Sequence, residues 1–390
     1  MNFSELVAPD GLFSDGDWIE KKDQDENGTV RLIQLADIGV CLFKDKSAKF
    51  VTEAKVQELN CTLLQKGDIL VSRLPDPLGR ACIFPLDGKY ITAVDVAIVR
   101  ITRQDISPNY IMYMINSPGF RAEIKKFESG TTRKRISRKN LNKIQFDIPP
   151  LSEQERIVSR IEELFPRLDA SVAELKMAKG RLKVYRQAVL KAAFGKVTTH
   201  TPFGEIINAR LGKMLDKEKN TGDFHKYLRN INVRWFSFDL SDLLEMRIEA
   251  DEIEKYSVSH NDLIICEGGE PGRCAVWDKQ DSIFYQKALH RVRFLDNSNP
   301  RFYMYYLWFS AQTGQLCRYF TGTGIKHLTG QSLSKVIVPT ANKTIQDSIV
   351  AEIESRLSVC DNIEKTVDTA LQQAEALQQS ILKKAFEGGL

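Results

Sequence analysis

The sequence predicts an α+β protein: two tandem-duplicated globular domains separated by two long helices that pair as an antiparallel coiled coil, with pseudo-twofold symmetry. Three observations carry this. Across residues 152–194 apolar residues keep heptad spacing, with Ile161, Leu168, Leu175, Leu182 and Val189 in one row and Leu164, Ala178, Tyr185 and Ala192 in alternate slots. The same row returns 192 residues later as Ile353, Cys360, Val367, Ala374 and Ile381, with Ile363, Ala370 and Leu377 between them. Ahead of each heptad stretch the shorter elements come in the same order, strands and then helices, which is the signature of a small α+β domain occurring twice.

Residues 1–28 are polar and turn-rich, through Pro9-Asp10-Gly11 and Asp15-Gly16-Asp17-Trp18 to Lys21-Lys22, and read as loop with one short helix. Short β-type runs follow at 30–35, 68–72, 80–84 and 97–101, separated by Gly, Pro and Asp. Ser107-Pro108 changes the pattern. Residues 110–115 read as a buried helix with Pro108 in its first turn, and Ser117-Pro118 opens a second helix carrying Phe120, Ile124 and Phe127. In the second half, 66–70 corresponds to 260–264, 79–84 to 272–277 and 109–113 to 301–305.

Each long helix should have about 40 residues and extend roughly 60 Å. The plan divides the chain into domains at 1–150 and 197–340 and helices at 151–196 and 341–390. A seam of that length cannot stay in water, so the two copies should cover each other; a coiled coil between two chains is the competing arrangement. Pro166 should kink the first helix or mark its start. Lys176, Lys179, Arg181, Lys183 and Arg186 read as its solvated face.

With 390 residues, 43% of them hydrophobic, the chain can bury two cores of ordinary domain size. It has no apolar run of about 18 residues and no leader of the charged, apolar, small-residue kind, so a cytoplasmic protein with no membrane contact is expected. The seven cysteines form no C-x-x-C pair, which points to reduced core thiols rather than zinc or disulfides. A net charge of +4 and a pI near 8.5 permit a nucleic-acid partner without demanding one.

The densest charge runs from Arg121 to Lys143. Its centre, Gly130, Thr131, Thr132, Arg133, Lys134 and Arg135, followed by Arg138 and Lys139, puts backbone amides, hydroxyls and guanidinium forks on one loop. Those groups bind phosphates and the guanine edge, so DNA contact is the expected role and a solvated basic loop the alternative. The corresponding loop, Gly322, Thr323, Gly324, Lys326 and His327, has only two cations, so the second domain should rely more on shape and neutral hydrogen bonds. A second loop pair sets Glu267, Gly269 and Arg273 beside Arg73 and Arg80. Here the glycines permit close approach and the arginines would face a groove; a structural turn would use the same residues.

Catalytic patterns are missing. Asp147-Ile148-Pro149-Pro150 departs from the Pro-Pro motif of amino-methyltransferases, and no glycine-rich cofactor loop follows an early strand. The five histidines show neither metal-ligand spacing nor a nucleophile partner. Asp10 with Glu20 and Lys22 fits a loose magnesium-nuclease pattern, which keeps a stand-alone nuclease as an alternative beside a protein-only coiled-coil scaffold.

Pro149-Pro150-Leu151-Ser152-Glu153-Gln154-Glu155-Arg156-Ile157-Val158, leading into a long helix, strongly resembles the conserved region of type I restriction-modification specificity subunits, as do 15–20, 31–39 and Cys266-Glu267-Gly268-Gly269. The second copy, from Pro339 to Gln346, lacks the signature and reads as carrying about three extra residues. The resemblance implies a non-catalytic subunit with no cofactor of its own. Two target-recognition domains would each read one half of a bipartite double-stranded DNA site, while the helices fix the unread spacer. Two modification subunits would supply S-adenosylmethionine and adenine methylation, and motor-nuclease subunits would add ATP- and magnesium-dependent restriction.

Overall fold

The computed structural model describes residues 1–75, 77–216 and 220–389. The chain resolves into two compact units, Met1–Leu175 with Thr369–Leu390, and Lys176–Asp368.

Unit 1 contains strands β1 (Leu12–Asp15), β2 (Val30–Ile33), β3 (Lys49–Val51), β4 (Ile69–Ser72), β5 (Ala81–Ile83), β6 (Tyr90–Thr92) and β7 (Val96–Arg100). They form an antiparallel sheet of order β1-β7-β4-β5 and a second sheet, β3-β2-β6, in which β2 and β6 run parallel. The strands β1, β3 and β6 escaped the sequence reading because three or four residues are too few to show a period. Helices α1 (Phe3–Val7), α2 (Glu53–Glu58), α3 (Pro108–Asn116), α4 (Pro118–Lys126) and α5 (Arg138–Leu141) precede the long α6 (Leu151–Phe194). Ser107 and Ser117 cap α3 and α4 through their hydroxyls, each with proline in the first turn.

Unit 2 uses the same plan. Its strands are β8 (His200–Pro202), β9 (Ile207–Leu211), β10 (Asp223–Leu228), β11 (Val233–Arg234), β12 (Ser237–Phe238), β13 (Leu244–Ile248), β14 (Ser257–Val258), β15 (Leu263–Cys266), β16 (Cys274–Val276), β17 (Ile283–Tyr285), β18 (Leu289–Phe294) and β19 (Ile337–Pro339). The sheet β9-β18-β15-β16 repeats β1-β7-β4-β5, and β10 runs parallel to β17 as β2 does to β6. The helices are α7 (Ile253–Tyr256), α8 (Pro300–Gln312), α9 (Gly330–Ser334) and the long α10 (Lys343–Phe386). Buried ion pairs repeat too: Asp68 with Arg100 at 2.8 Å, and Asp262 with Arg293 at 2.7 Å.

Both long helices have 44 residues, and each unit packs part of one against part of the other. In unit 1, Ile161 and Phe165 of α6 share a core with Ile381, Leu382 and Ala385 of α10. In unit 2, Lys179 pairs with Asp368 at 2.7 Å, Arg186 with Asp361 at 2.6 Å and Glu364 at 2.8 Å, and Lys196 with Glu352. Rising numbers on α6 meet falling numbers on α10, so the pairing is antiparallel and the seam partner belongs to the same chain. The repeated terminal signature ends in a ring contact each time: Phe194 with Phe302 at 5.4 Å in unit 2, and Phe386 with Tyr110 at 5.2 Å in unit 1.

Three expectations about these helices are corrected. In the main row Ile161, Leu182, Val189, Ile353, Cys360, Val367, Ala374 and Ile381 are buried, and Leu168 and Leu175 half-buried; in the alternate row Leu164, Ala178 and Ala370 are half-buried as expected, but its other positions give way to the residue beside them. Tyr185, Ile363, Leu377 and Ala192 are exposed, while Phe165, Lys179, Arg186 and Ala193 on α6 and Leu357 and Glu364 on α10 turn inward. Heptad steps alternate three and four, and charged residues in the true row hid which came first. Lys179 and Arg186 are therefore partly solvated ion-pair partners across the seam, not a free cationic face. Pro166 does not mark a helix start, since α6 runs through it from Leu151.

No extra residues separate the second helix from its domain. Gln154, 1% exposed, accepts from Ser107 N–H at 2.8 Å and donates to the carbonyls of Asp105 and Pro149 at 3.0 and 2.9 Å. Gln346, also 1% exposed and 192 residues on, accepts from Asn299 N–H at 2.7 Å and donates to the Ala341 carbonyl at 2.8 Å. A glutamine in the first turns thus pins each long helix to its own globular part, whatever the flanking residues. Gln154→Ala orphans an amide and two carbonyls and should cost about 1–3 kcal/mol. A thermal melt checks this: Tm falls for Gln154→Ala and Gln346→Ala and stays put for Glu155→Ala on the exposed face.

Candidate nucleic-acid interface

The two predicted loops are equivalent hairpins. Ser129 and Arg135 exchange backbone hydrogen bonds of 2.9 and 2.8 Å, and Thr321 and His327 exchange bonds of 2.8 and 2.9 Å. Gly130 (φ +99°) and Gly322 (φ +92°) make the turn, where any Cβ would run into the carbonyl oxygen of Arg133 or Ile325. Each hairpin is held at its foot by a buried residue, Ile136 or Leu328, and then by a hydroxyl cap, Ser137 on α5 or Thr329 on α9. The tips are left exposed.

The structure joins loops that the sequence presented separately. Ile136 N–H donates to the Arg73 carbonyl at 3.1 Å, and Leu328 N–H to the Glu267 carbonyl at 2.7 Å. Each unit therefore has one composite surface of hairpin plus adjoining loop. Its chemistry is narrower than predicted. Arg133, Arg135 and Lys139 are exposed and make no side-chain hydrogen bond or ion pair among the described residues, with Thr131 and Thr132 exposed beside them. Lys134 is tied to Glu128 at 2.7 Å, and Arg138 to Asp15 at 3.2 Å and the Phe13 carbonyl at 2.8 Å. In unit 2 Gly322, Thr323, Gly324 and Lys326 are exposed, His327 is half-buried, and Lys326 donates to the Gly322 carbonyl at 2.7 Å.

The arginines expected to face a groove turn inward instead. Arg80 is buried and donates to the carbonyls of Ile38 at 2.6 Å and Leu35 at 3.0 Å. Arg273 pairs with Glu270 at 2.7 Å and donates to the Asn230 carbonyl at 2.8 Å. Arg73 lies 3.3 Å from Asp15 and reaches the Val94 carbonyl. A loop built on glycine and proline has few internal bonds, and these guanidiniums provide them. Glu267 is half-buried and Gly269 exposed, so that loop still offers surface; Asp76, in the matching loop of unit 1, lies outside the described residues. The sequence reading also missed Asp15, the shared partner of Arg73 and Arg138, and Ile325, 75% exposed at the second hairpin tip.

Among the described residues no group of three or more His, Cys, Asp or Glu could hold a metal. Glu20 of the loose nuclease pattern is ion-paired to Lys22 at 2.7 Å. All seven cysteines are free; Cys317 is exposed, contrary to the expectation of core thiols, whereas Cys82, Cys266, Cys274 and Cys360 are buried. No helix among the described residues is long and apolar enough to cross a membrane.

Asp17, next to the first composite surface, is half-buried, and burial pushes its carboxyl up to about 6 against the smaller opposing effect of the Thr62 N–H. The folded state holds that proton more tightly than the unfolded chain, so stability present at pH 4 is lost as pH rises through 6. Asp17→Asn keeps the acceptor oxygen and removes the charge. Its Tm should exceed that of the unsubstituted protein at pH 7.5, and differential scanning calorimetry at pH 4 should find the gap closed.

A duplicated module with one sheet order, one hairpin and one glutamine-pinned helix per copy is one scaffold used twice in a single chain. The sequence model for the type I restriction modification DNA specificity domain matches at residues 11–175 and again at 202–373. The chain belongs to that family. It is 26% identical over 306 residues to the EcoKI specificity subunit of Escherichia coli K12, covering 73% of this chain and 66% of that protein. To the StySPI specificity subunit of Salmonella potsdam it is 26% identical over 310 residues, covering 73% and 66%. It thus spans just under two thirds of the length of these curated relatives. Among solved structures, the HsdS subunit from Thermoanaerobacter tengcongensis shares the fold with a TM-score of 0.55 at 16% identity over 98% of each chain. A chain from a type I R-M system, in a study of complex assembly and conformational transition, has a TM-score of 0.77 at 16% identity, covering 100% of this chain and 97% of that one.

Proposed function

We propose that this chain is the DNA-recognition subunit of a type I restriction-modification complex, in which each globular part reads one half of a bipartite duplex site. The observation that carries it is a repeated specificity domain whose scaffold is constant and whose tip is not. The hairpin Thr131-Thr132-Arg133-Lys134-Arg135 stands on the same anchors as Thr323-Gly324-Ile325-Lys326-His327. Identical mounts with different reading groups suit two different half-sites. Arg133, Arg135 and Lys139 supply phosphate contacts and forks for a guanine edge, and the second hairpin reads with less charge.

The chain itself carries no reaction and no cofactor. Two modification subunits dock on it and bring S-adenosylmethionine for adenine methylation; motor-nuclease subunits bring ATP and magnesium for restriction, and the complex works in the cytoplasm. Apolar side chains left exposed on the long helices support docking: Val184 on α6 is 67% exposed, Val359 on α10 56% and Leu377 51%. The helix pair sets the unread spacer.

Methylation mapping in cells with and without this gene tests the reading: one bipartite adenine motif disappears with the gene, and an unchanged methylation map would refute it. In the assembled complex, Arg133→Ala/Arg135→Ala/Lys139→Ala should weaken binding to that duplex about 10- to 100-fold near 0.1 M salt and flatten the salt dependence by about two to three contacts. Fluorescence anisotropy across a salt series reads both. Arg80→Ala should instead lower Tm.

A further inference from the structure

One exposed apolar side chain occurs at the same place in both units, outside the hairpins. In unit 1 the chain leaves β1 through Gly16-Asp17-Trp18: Gly16 N–H donates to the Val96 carbonyl at 2.8 Å, Asp17 N–H to the Thr92 carbonyl at 2.7 Å, and Asp17 bridges Ala93 in parallel. In unit 2 the chain leaves β9 through Gly212-Lys213-Met214: Gly212 N–H donates to the Leu289 carbonyl at 3.0 Å, Lys213 N–H to the Tyr285 carbonyl at 3.0 Å, and Lys213 bridges Gln286 in parallel. Glycine is required each time, because a Cβ would collide with the carbonyl of Ala93 or Gln286. The bridging residue has changed completely, from half-buried Asp17 to Lys213, which is buried and held by Glu249 and Glu252. The residue after it is still large, apolar and in water: Trp18 is 70% exposed and Met214 60%.

The same turn ties this tip to the hairpin. In unit 1 Arg73 N–H donates to the Asp95 carbonyl at 2.9 Å and its guanidinium to that of Val94, and its own carbonyl receives Ile136 at the foot of the basic hairpin. In unit 2 Glu267 N–H donates to the Ala288 carbonyl at 2.9 Å and its carbonyl receives Leu328 at the foot of the other hairpin. Met214, Leu215, Glu267 and Ala288 line one open cavity of about 300 Å³. A single exposed apolar residue is ordinary. Two at one topological position, each on a bridged tether that shares its turn with a hairpin, call for a common explanation.

The geometry points to Trp18 and Met214 as apolar wedges that stack on, or slip between, base pairs of the duplex held by the adjoining hairpin. This rests on the DNA-recognition reading above and adds the groups that deform or register the base step. Trp18 presents a π face to a base, and Met214 a soft, adaptable wedge; both act without sequence-specific hydrogen bonds. In unit 1 the hairpin carries Arg133, Arg135 and Lys139 in water, the charge a duplex requires, while the Trp18 indole N–H donates to the exposed Glu20 carboxylate at 3.4 Å and leaves the ring faces free.

The test uses the full chain assembled with its methyltransferase subunits and a duplex carrying the mapped methylation site, with 2-aminopurine placed at successive positions. Trp18→Ala should weaken binding about 10- to 100-fold with an unchanged salt slope, and should abolish the 2-aminopurine change at one step of one half-site. Trp18→Phe should retain most of both. Met214→Ala should move the signal in the other half-site only. Melts of the variants should match the parent, since both residues lie at the surface. If Trp18→Ala binds duplex like the parent and keeps the 2-aminopurine change, the wedge is overturned while DNA recognition stands. If Trp18→Ala instead loses methyltransferase subunits at unchanged duplex affinity of the intact complex, the surface serves a protein and the wedge is again overturned. If the parent complex binds no duplex, the reading beneath it fails.

Discussion

Covering the apolar row of two 44-residue helices is the constraint on which everything else depends. An isolated helix of that composition gains little from propensity and most of its stability from burying one face. Each unit meets the requirement as a composite, with a globular part, a segment of α6 and an antiparallel segment of α10 sharing one core. Phe194 and Phe386 close those cores, so the last turn of each helix is as well anchored as its first, where Gln154 and Gln346 take up loop amides and carbonyls. The ion pairs of Lys179 and Arg186 with Glu364, Asp361 and Asp368 add little energy singly, because they are partly solvated.

Duplication then explains which features drift. Buried devices recur with the same geometry, as in Asp68 with Arg100 and Asp262 with Arg293, because losing one partner leaves a charge unpaired in the interior. Side chains at hairpin tips pay no such penalty. The chain carries Arg133, Lys134 and Arg135 on one mount and Ile325, Lys326 and His327 on the other, and the first mount presents far more positive charge than the second. Under the proposed DNA-recognition role, a change at the tips would change the target while the cores stay constant.

Much of the fold was legible in the sequence because heptad rows and a fixed offset of 192 residues are periodic signals that survive divergence. The second seam row was not legible, since Lys179, Arg186 and Glu364 occupy it and charge normally marks the outside of a helix. The two candidate loops were found, but their arginines were misread: Arg80 and Arg273 supply hydrogen bonds to backbone carbonyls, a demand set by tertiary contacts that no local pattern displays. The union of hairpin and loop through Ile136 and Leu328 was invisible for the same reason, as was Asp15, an unremarkable acid that anchors two arginines. The expected extra residues ahead of the second helix had the same origin: the glutamine pins show that Ala341 holds the position of Pro149.

The central proposal is that two related reading heads each contact their own stretch of duplex and that the helix pair sets the unread spacer. Inserting one heptad into α6 and the matching heptad into α10, then selecting bound duplexes from a library of half-sites with randomised spacing, tests it most directly. The account predicts unchanged half-site sequences and a longer preferred spacer. Recovery of the original spacer by a complex that still folds and binds would contradict it.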